Sequence, residues 1–459
     1  MHLSVVILAA GKGKRMVSDL PKVLHRIGGK PMLGHVLDTA DRLGAVQCLV
    51  VHGHGGEAVK AAFGERSAIV WVEQAEQLGT GHAVDQVLPA IADDGAVVLV
   101  LYGDVPLVGS ETLQPLVDSA SGDHLGLLTV KLANPAGYGR IVRDLAGRVQ
   151  HVVEEKDASA EQRYIREVNT GILAAPISRL RRWVRALDNK NAQGEYYLTD
   201  VIAMAVAEGV AVEAFSAPDP HEVEGVNDRL QLAELERYHQ RRQVEALMRN
   251  GATLLDPARV DVRGTVVTGK DVIIDVNVVF EGEVRLGNRV RIGPHSMICN
   301  AILGDDTEVL SHSLIEEAHI GRGARIGPFA RLRPGNQLAD GVHVGNFVEI
   351  KKSVIGPASK VNHLTYIGDT EIGAAVNVGA GTITCNYDGA NKYKTVIGDR
   401  AFIGSNTALV APVRVGEGAT VGAGSTIAKD VPADNLAVTR APQKLIKDWR
   451  RPVKGQTKP

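Results

Sequence analysis

Two sets of residues in this chain have the types and spacing that anion chemistry needs. The first is the loop Gly11-Lys12-Gly13-Lys14-Arg15-Met16, entered directly from the apolar run Leu3–Leu8. Its glycines permit a tight turn that exposes backbone N–H donors. Lys12, Lys14 and Arg15 add cations, and Lys22 follows the Asp19-Leu20-Pro21 turn. Such a loop suits a triphosphate. It is not the dinucleotide fingerprint, because Met16 stands where the third glycine belongs. Nor is it a Walker loop, which needs Gly-Lys-Ser/Thr after a longer gap. A second piece, Val97–Tyr102 followed by Gly103-Asp104, ends an apolar run in a carboxylate. A hard cation such as Mg²⁺ could bridge that carboxylate to phosphate oxygens. The bland alternatives are a solvated basic turn and an ordinary Gly-Asp turn; the two pieces gain weight from each other.

The second set lies far downstream. It comprises Arg331-Leu332-Arg333-Pro334-Gly335, the run Asn346–Lys352 with Glu349 and Lys351, Asn362-His363-Leu364-Thr365-Tyr366, and Asn386-Tyr387. His is the side chain whose ordinary pKa lets it take a proton near neutral pH. Arg333 and Lys351 are cations of the kind that hold a phosphate. The chain has 15 His in all, most of which must be surface residues; His363 stands out by its company.

The elements that must position these residues divide the chain. Up to about residue 227, β-branched runs alternate with helical patterns. Strands are predicted at Leu3–Leu8, Gln47–His52, Ile69–Val72, Val97–Tyr102, Leu125–Val130, Gly171–Ala174 and Val210–Ala214. Helices are predicted at Pro31–Leu43, His82–Leu88 and Ile177–Ala186. That alternation predicts a mainly parallel sheet covered on both faces, with ligands beyond the carboxyl ends of its strands. Residues 228–250 read as a charged linker helix, ended by Gly251. Residues 251–440 carry aliphatic-Gly pairs at steps of 6, 12 or 18; Gly327 to Gly345 and Gly404 to Gly422 are both 18 apart. A six-residue unit with one inward aliphatic suits one side of a triangular coil, the Gly tolerating the turn, and three units close a coil that stacks on the next. The register breaks between Gly379 and Gly398, which predicts an extruded loop. Residues 441–459 are basic, poor in apolar content, and predicted to be a mobile tail.

Composition is that of a globular chain: 459 residues, 44% hydrophobic, 23% charged, net charge −2. Near-neutral charge gives no field toward nucleic acid or membrane. Cys48, Cys299 and Cys385 are far apart and unpaired in sequence, which argues against disulfides and zinc and fits the cytoplasm. No apolar stretch nears the ~20 residues of a membrane span.

The string Leu8-x-x-Gly11-x-Gly13-x-Arg15-Met16 with Pro21-Lys22, then Gln77-Leu78-Gly79-Thr80, then Tyr102-Gly103-Asp104, resembles the sugar-1-phosphate nucleotidyltransferases. With the repeats included, all but the tail resembles the bacterial family of bifunctional N-acetylglucosamine-1-phosphate uridyltransferase/glucosamine-1-phosphate N-acetyltransferases. The resemblance implies a Rossmann-like α/β nucleotidyltransferase domain (1–227), the linker helix, and a left-handed parallel β-helix of hexapeptide repeats (251–440). It implies UTP and acetyl-CoA as co-substrates, Mg²⁺, and a homotrimer. In the first site it implies that Leu8, Ala9, Ala10 and Gly11 line uridine and phosphate, while Arg15 and Lys22 steady the triphosphate. Gln74, Gly79 and Thr80 would read uracil, beside Tyr102 and Gly103. Asp104 and Asn227 would hold Mg²⁺, and Gly139, Glu154 and Asn169 would contact the sugar. In the second site His363 would be the general base. Arg333, Lys351, Tyr366 and Asn377 would bind glucosamine 1-phosphate; Ala380, Asn386, Tyr387, Ser405, Ala423 and Arg440 would contact acetyl-CoA. Lys14 departs from the smaller residue expected there. Two other readings stay open: a nucleotidyltransferase for another sugar with a non-catalytic repeat domain, and a non-catalytic scaffold.

Overall fold

The computed structural model describes residues 2–451 except 54, 67 and 93, together with Lys454. The chain forms two compact units, Met1–Arg242 and Gln243–Pro459. Among the described residues no helix is long and apolar enough to cross a membrane.

In the first unit nine strands form one sheet: β1 (Leu3–Ala9), β2 (Gln47–His52), β3 (Ile69–Glu73), β4 (Val97–Tyr102), β5 (Leu125–Lys131), β6 (Arg140–Arg143), β7 (Val149–Val153), β8 (Glu167–Pro176) and β9 (Val212–Ser216). The main path runs β9-β5-β8-β4-β1-β2-β3, with the hairpin β6-β7 attached through β8. Strands β1, β2, β3 and β4 pair parallel, as do β5 and β9. Strand β8 runs antiparallel to both β4 and β5, so the sheet is mixed at that point. The central strands read as unbroken apolar runs because both faces are covered. In β1, Val6 packs with one core that includes Ala83, Val84, Leu180 and Trp183. Its neighbours Val5 and Ile7 pack with the other, which includes Leu33, Val36, Leu113 and Leu116. The helices supplying those layers are α1 (Met32–Arg42), α2 (Gly56–Ala62), α3 (Thr80–Val87), α4 (Ser110–Ser121), α5 (Ile177–Arg185) and α6 (Asp200–Ala207). Helix α7 (Arg229–Arg249) follows; Leu235 belongs to a core with Met16 and Val226, and Val244 and Leu247 belong to the core of the second unit.

The second unit is a parallel β-helix of two- to four-residue strands, with two longer ones, Val260–Thr268 and Val278–Leu286, near its start. Inward aliphatics stack coil on coil: Ile292 pairs with Val309, Val309 with Ile326, Ile326 with Val344, Val344 with Val361 and Val361 with Val378. The spacings are 17 or 18 residues, so coils of one residue fewer are mixed with the expected ones. From Val378 to Ile403 the spacing is 25, and the excess is the extruded loop. That loop closes on itself: Tyr387 bridges Lys392 antiparallel, and the Asp388 carboxylate accepts from the Ala390 and Asn391 amides.

Most of the repeat glycines serve a different purpose from the one expected, Gly327 at φ +97° being an exception. The left-handed backbone falls two residues later, on Arg289 after Gly287, on His295 after Gly293 and on Asn406 after Gly404. A Cβ on Gly404 would lie 2.4 Å from the Ala423 amide nitrogen of the next coil. Glycine is required there by the close approach of stacked turns. Residues 441–451 are exposed, without helix or strand; the end of the tail lies outside the described residues.

Candidate active site

Register places the first site. Leu8 stands opposite Tyr102 in the β1–β4 ladder, so the loops after these strands leave the same sheet edge. The Gly103 amide donates to the Leu8 carbonyl at 2.9 Å and ties the two loops. A cleft at this edge is lined by Leu8, Ala9, Ala10, Gly11, Lys22, Gln74, Gly79, Thr80, Tyr102 and Asp104, with Val23, Gln77, Ala83 and Glu195. Gly13 adopts φ +56°, and a Cβ on it would lie 2.8 Å from Lys22 Cβ, so the glycine loop closes over the lysine stem. Lys22 Nζ donates to Asp104 Oδ2, with the two side chains only 12% and 19% exposed. The Val226 amide donates to the Asp104 carbonyl at 3.0 Å, which brings Asn227 beside that loop.

Arg15 lies in a short 3-10 turn, Lys14–Met16, held by buried Met16, whose carbonyl accepts from Arg229 Nε at 3.0 Å. Arg15 itself is exposed and outside the cleft lining. Gln74 is 4% exposed; its amide donates to the Gly79 carbonyl at 3.2 Å and sits 3.1 Å from His82 Nδ1.

Gly139, Glu154 and Asn169 converge through the β6-β7 hairpin and β8. The Asn169 amide donates to the Gly139 carbonyl at 2.8 Å. The Glu154 carboxylate lies 3.3 Å from where a Gly139 Cβ would be. Desolvation raises the Glu154 pKa; the Thr199 hydroxyl, donating at 3.1 Å, opposes this, and Asp200 and Asp157 add to it. The Tyr102 phenol pKa is pushed up by desolvation and then by the charges of Asp104 and Glu154.

A segment that sequence reasoning missed spans the site. The Tyr196 amide donates to the Leu78 carbonyl and the Gly81 amide to the Tyr196 carbonyl, both at 2.8 Å. The Leu198 amide donates to Thr80 Oγ1 at 3.1 Å, and Thr199 holds Glu154. The strap 195–199 thus ties the turn after Gln74 to the carboxylate. Gln77 was legible inside Gln-Leu-Gly-Thr; the strap carries no local signal, because its partners are over 40 residues away.

The second site follows the β-helix ladders. Asn346 pairs with His363 in register, and His363 Nδ1 lies 3.0 Å from Asn346 Oδ1. The imidazole is exposed. Glu349 stands opposite Tyr366, and Arg333 Nη1 donates to Glu349 Oε1 at 3.0 Å. Asp369 Oδ2 accepts from Asn386 Nδ2 and lies 3.9 Å from Lys351 Nζ. Lys392, from the extruded loop and missed in the sequence, stands beside Lys351; its ammonium, and then desolvation, push the Lys351 pKa down against the pull of Asp369.

Turns stack above His363. Its carbonyl accepts from the Gly381 amide, Ala380 from Asn406, Ser405 from Gly424 and Ala423 from Arg440 Nη1, at 2.7–3.2 Å. So Ala380, Ser405, Ala423 and Arg440 form one column leading away from the histidine. Asn377 sits in the ladder Lys360-Asn377-Phe402, three residues before Ala380. Tyr387 is exposed on the loop, and Cys385 is half-buried beside it.

Both architectures match known domain families. Residues 5–169 match the MobA-like NTP transferase domain, 262–367 the GMPPB C-terminal domain, and 394–429 the bacterial transferase hexapeptide (six repeats). The class is therefore an NTP-transferase unit joined to a hexapeptide-repeat β-helix. The bifunctional protein GlmU of Alkalilimnicola ehrlichii is 61% identical over 98% of this chain and 96% of its own. That of Aromatoleum aromaticum is 60% identical, covering 98% and 99%, and that of Marinobacter nauticus 59%, covering 99% of each. The chain belongs to the bifunctional GlmU family.

Proposed function

We propose that this chain makes UDP-N-acetylglucosamine in two steps at its two sites. What supports this reading is that one cleft is lined by Gly11, the Lys22–Asp104 pair, Gln74, Gly79 and Thr80, while in the second unit His363 meets Asn346, Arg333 meets Glu349, and Lys351 and Asn386 both face Asp369.

In the β-helix site, Arg333 and Lys351 hold the phosphate of glucosamine 1-phosphate, with Tyr366 and Asn377 against the sugar. His363 Nδ1–H donates to Asn346, which leaves Nε2 free to take a proton from the substrate nitrogen. The amine nitrogen then bonds to the thioester carbonyl carbon of acetyl-CoA. The carbon–sulfur bond breaks, and the thiolate leaves and is protonated. Such a base typically contributes ~10²–10⁴-fold. Ala380, Ser405, Ala423 and Arg440 line the column along which CoA lies, with Asn386 and Tyr387 across from it. Cys385 has no role in this direct transfer.

In the α/β site, Leu8–Gly11, Gln74, Gly79 and Thr80 seat the uridine and phosphates of UTP. Gly139, Glu154 and Asn169 hold N-acetylglucosamine 1-phosphate, Glu154 accepting from hydroxyls. A sugar-phosphate oxygen bonds to the α-phosphorus in line with the departing pyrophosphate. The step needs positioning and charge neutralisation more than covalent help; Lys22 and Arg15 supply the cations.

Among the described residues no group of three or more His, Cys, Asp or Glu could hold a metal unaided. One carboxylate suffices for Mg²⁺ when phosphates complete the shell. Asp104 fits, since its carboxylate already faces a cation, the Lys22 ammonium, at the cleft. Bound there with Asn227 alongside, Mg²⁺ would neutralise phosphate charge. The chain is proposed to work as a cytoplasmic homotrimer.

The test is to supply glucosamine 1-phosphate, acetyl-CoA, UTP and Mg²⁺ and omit each in turn. Omitting acetyl-CoA should stop UDP-sugar formation unless N-acetylglucosamine 1-phosphate is supplied instead. UDP-sugar formed from another sugar phosphate in preference would overturn the reading.

A further inference from the structure

The face that carries the second site is two columns wide. One column contains Arg331, Glu349, Tyr366 and Ile383 in parallel register. In the neighbouring column Lys351 pairs with Gly368. Every strand position on this face would normally project a side chain at Gly368, next to Lys351. None does, and two polar groups occupy the space. A Cβ built on Gly368 would lie 2.4 Å from the Tyr366 hydroxyl oxygen, 2.8 Å from Tyr366 Cζ and 2.9 Å from Asn386 Nδ2. Separations under 3.0 Å are far inside van der Waals contact, so an added methyl must displace them.

The glycine is not there for backbone freedom, since Gly368 does not have positive φ. It ends the short strand Tyr366–Gly368, and a strand glycine with no need of positive φ marks a close approach. Its backbone is also firmly held. The Gly368 amide donates to Thr384 Oγ1 at 2.8 Å, and its carbonyl accepts from Thr370 Oγ1 at 2.8 Å. Gly368 therefore cannot shift to make room, and strain from a new side chain falls on Tyr366 and Asn386.

We infer that Gly368 is a positioning residue for acetyl transfer: the missing side chain lets the Tyr366 phenol fold along the strand and share the vacant space with the Asn386 amide, which donates to Asp369 beside Lys351. The inference rests on the acetyltransferase reading of this site. The phenol oxygen shares the space over Gly368 with Asn386 Nδ2, and Asn386 links the extruded loop to the phosphate cation, because it donates to Asp369 and Asp369 lies 3.9 Å from Lys351 Nζ. Displacing the phenol would thus disturb sugar-phosphate seating more than thioester chemistry.

The experiment is a double-mutant cycle in the full chain with G368A, Y366A and the double variant. Acetyl transfer to glucosamine 1-phosphate and thermal unfolding are both measured. G368A should raise KM for glucosamine 1-phosphate by about 10- to 100-fold, the scale of a misplacement of ~1 Å. The change in kcat should be smaller, and uridylyl transfer should be unaffected. With the ring gone in Y366A, the two closest clashes disappear and only the Asn386 amide nitrogen, at 2.9 Å and free to swing into the vacated space, is left to displace, so the double variant should match Y366A within about 2-fold. If the two losses multiply, the phenol is not what Gly368 accommodates and the inference fails. Should G368A not fold, recovery of folding in the double variant supports the inference and continued failure overturns it. If the wild-type chain does not acetylate glucosamine 1-phosphate, the functional reading fails. The steric inference is then decided by unfolding midpoints alone: non-additive shifts uphold it and additive shifts overturn it.

Discussion

Asn346 and His363 occupy the same position in successive coils of the β-helix, and their side chains meet at 3.0 Å, Oδ1 to Nδ1. The amide oxygen can only accept, so a neutral imidazole in this contact carries its proton on Nδ1 and its lone pair on Nε2. Asn346→Leu should lower kcat for acetyl transfer by about 10-fold, while His363→Ala lowers it by ~10²–10⁴-fold. Uridylyl transfer should survive both. A pre-steady-state and steady-state comparison of the two activities checks this, and an Asn346→Leu enzyme with full acetyl-transfer kcat would remove Asn346 from the role.

Lys22 and Asp104 are 82 residues apart and form a largely buried pair at the cleft. Losing Lys22 leaves a carboxylate facing the triphosphate without its cation. Lys22→Ala should therefore lower uridylyl transfer by ~10²–10³-fold, comparable with loss of a charge-stabilising donor. Asp104→Ala should flatten the dependence of rate on Mg²⁺. Titrating Mg²⁺ against initial rate separates the two, and an unchanged Mg²⁺ response in Asp104→Ala would take Asp104 out of the metal site.

Glu154 carries a pH signature. Its folded pKa is raised, chiefly by desolvation. A raised carboxyl binds its proton more tightly folded than unfolded, so stability falls as pH climbs from the ordinary glutamate pKa through the folded value. Glu154→Gln should raise the melting temperature at neutral pH while lowering uridylyl transfer. Because the Thr199 hydrogen bond opposes the shift, Thr199→Val should move the acidic limb of the uridylyl-transfer pH profile upward. A limb that stays put or moves down would count against Glu154 as the accepting group.

The repeat glycines make a stability prediction. Gly404→Ala puts a methyl 2.4 Å from the next coil's backbone nitrogen, which cannot rotate away. Overpacking of this kind costs ~1–3 kcal/mol. Thermal unfolding followed by circular dichroism should show the loss. The same change at Gly323, which has positive φ and open space around its Cβ position, should cost less and act through backbone strain.

Much of this protein is written locally. An inward aliphatic every six residues needs only its own coil and the adjacent ones to be buried, so periodicity alone foretold stacked coils and the break at residues 379–398. The strand-loop-cation string from Leu3 to Lys22 is equally local, and β1, β2 and β4 appeared where apolar runs placed them. Tertiary structure decided the rest, because the interactions lie between segments with no shared pattern. Strand β8 runs antiparallel because the β6-β7 hairpin turns the chain back before it. Glu154 reads as one charge in a polar run until Thr199 and the hairpin bury it. Lys392 reaches Lys351 only once the extruded loop folds back, and Gly368 looks like any repeat glycine until Tyr366 lies over it. Burial pattern is a property of one strand; convergence of charges and steric room depends on which distant segments pack together.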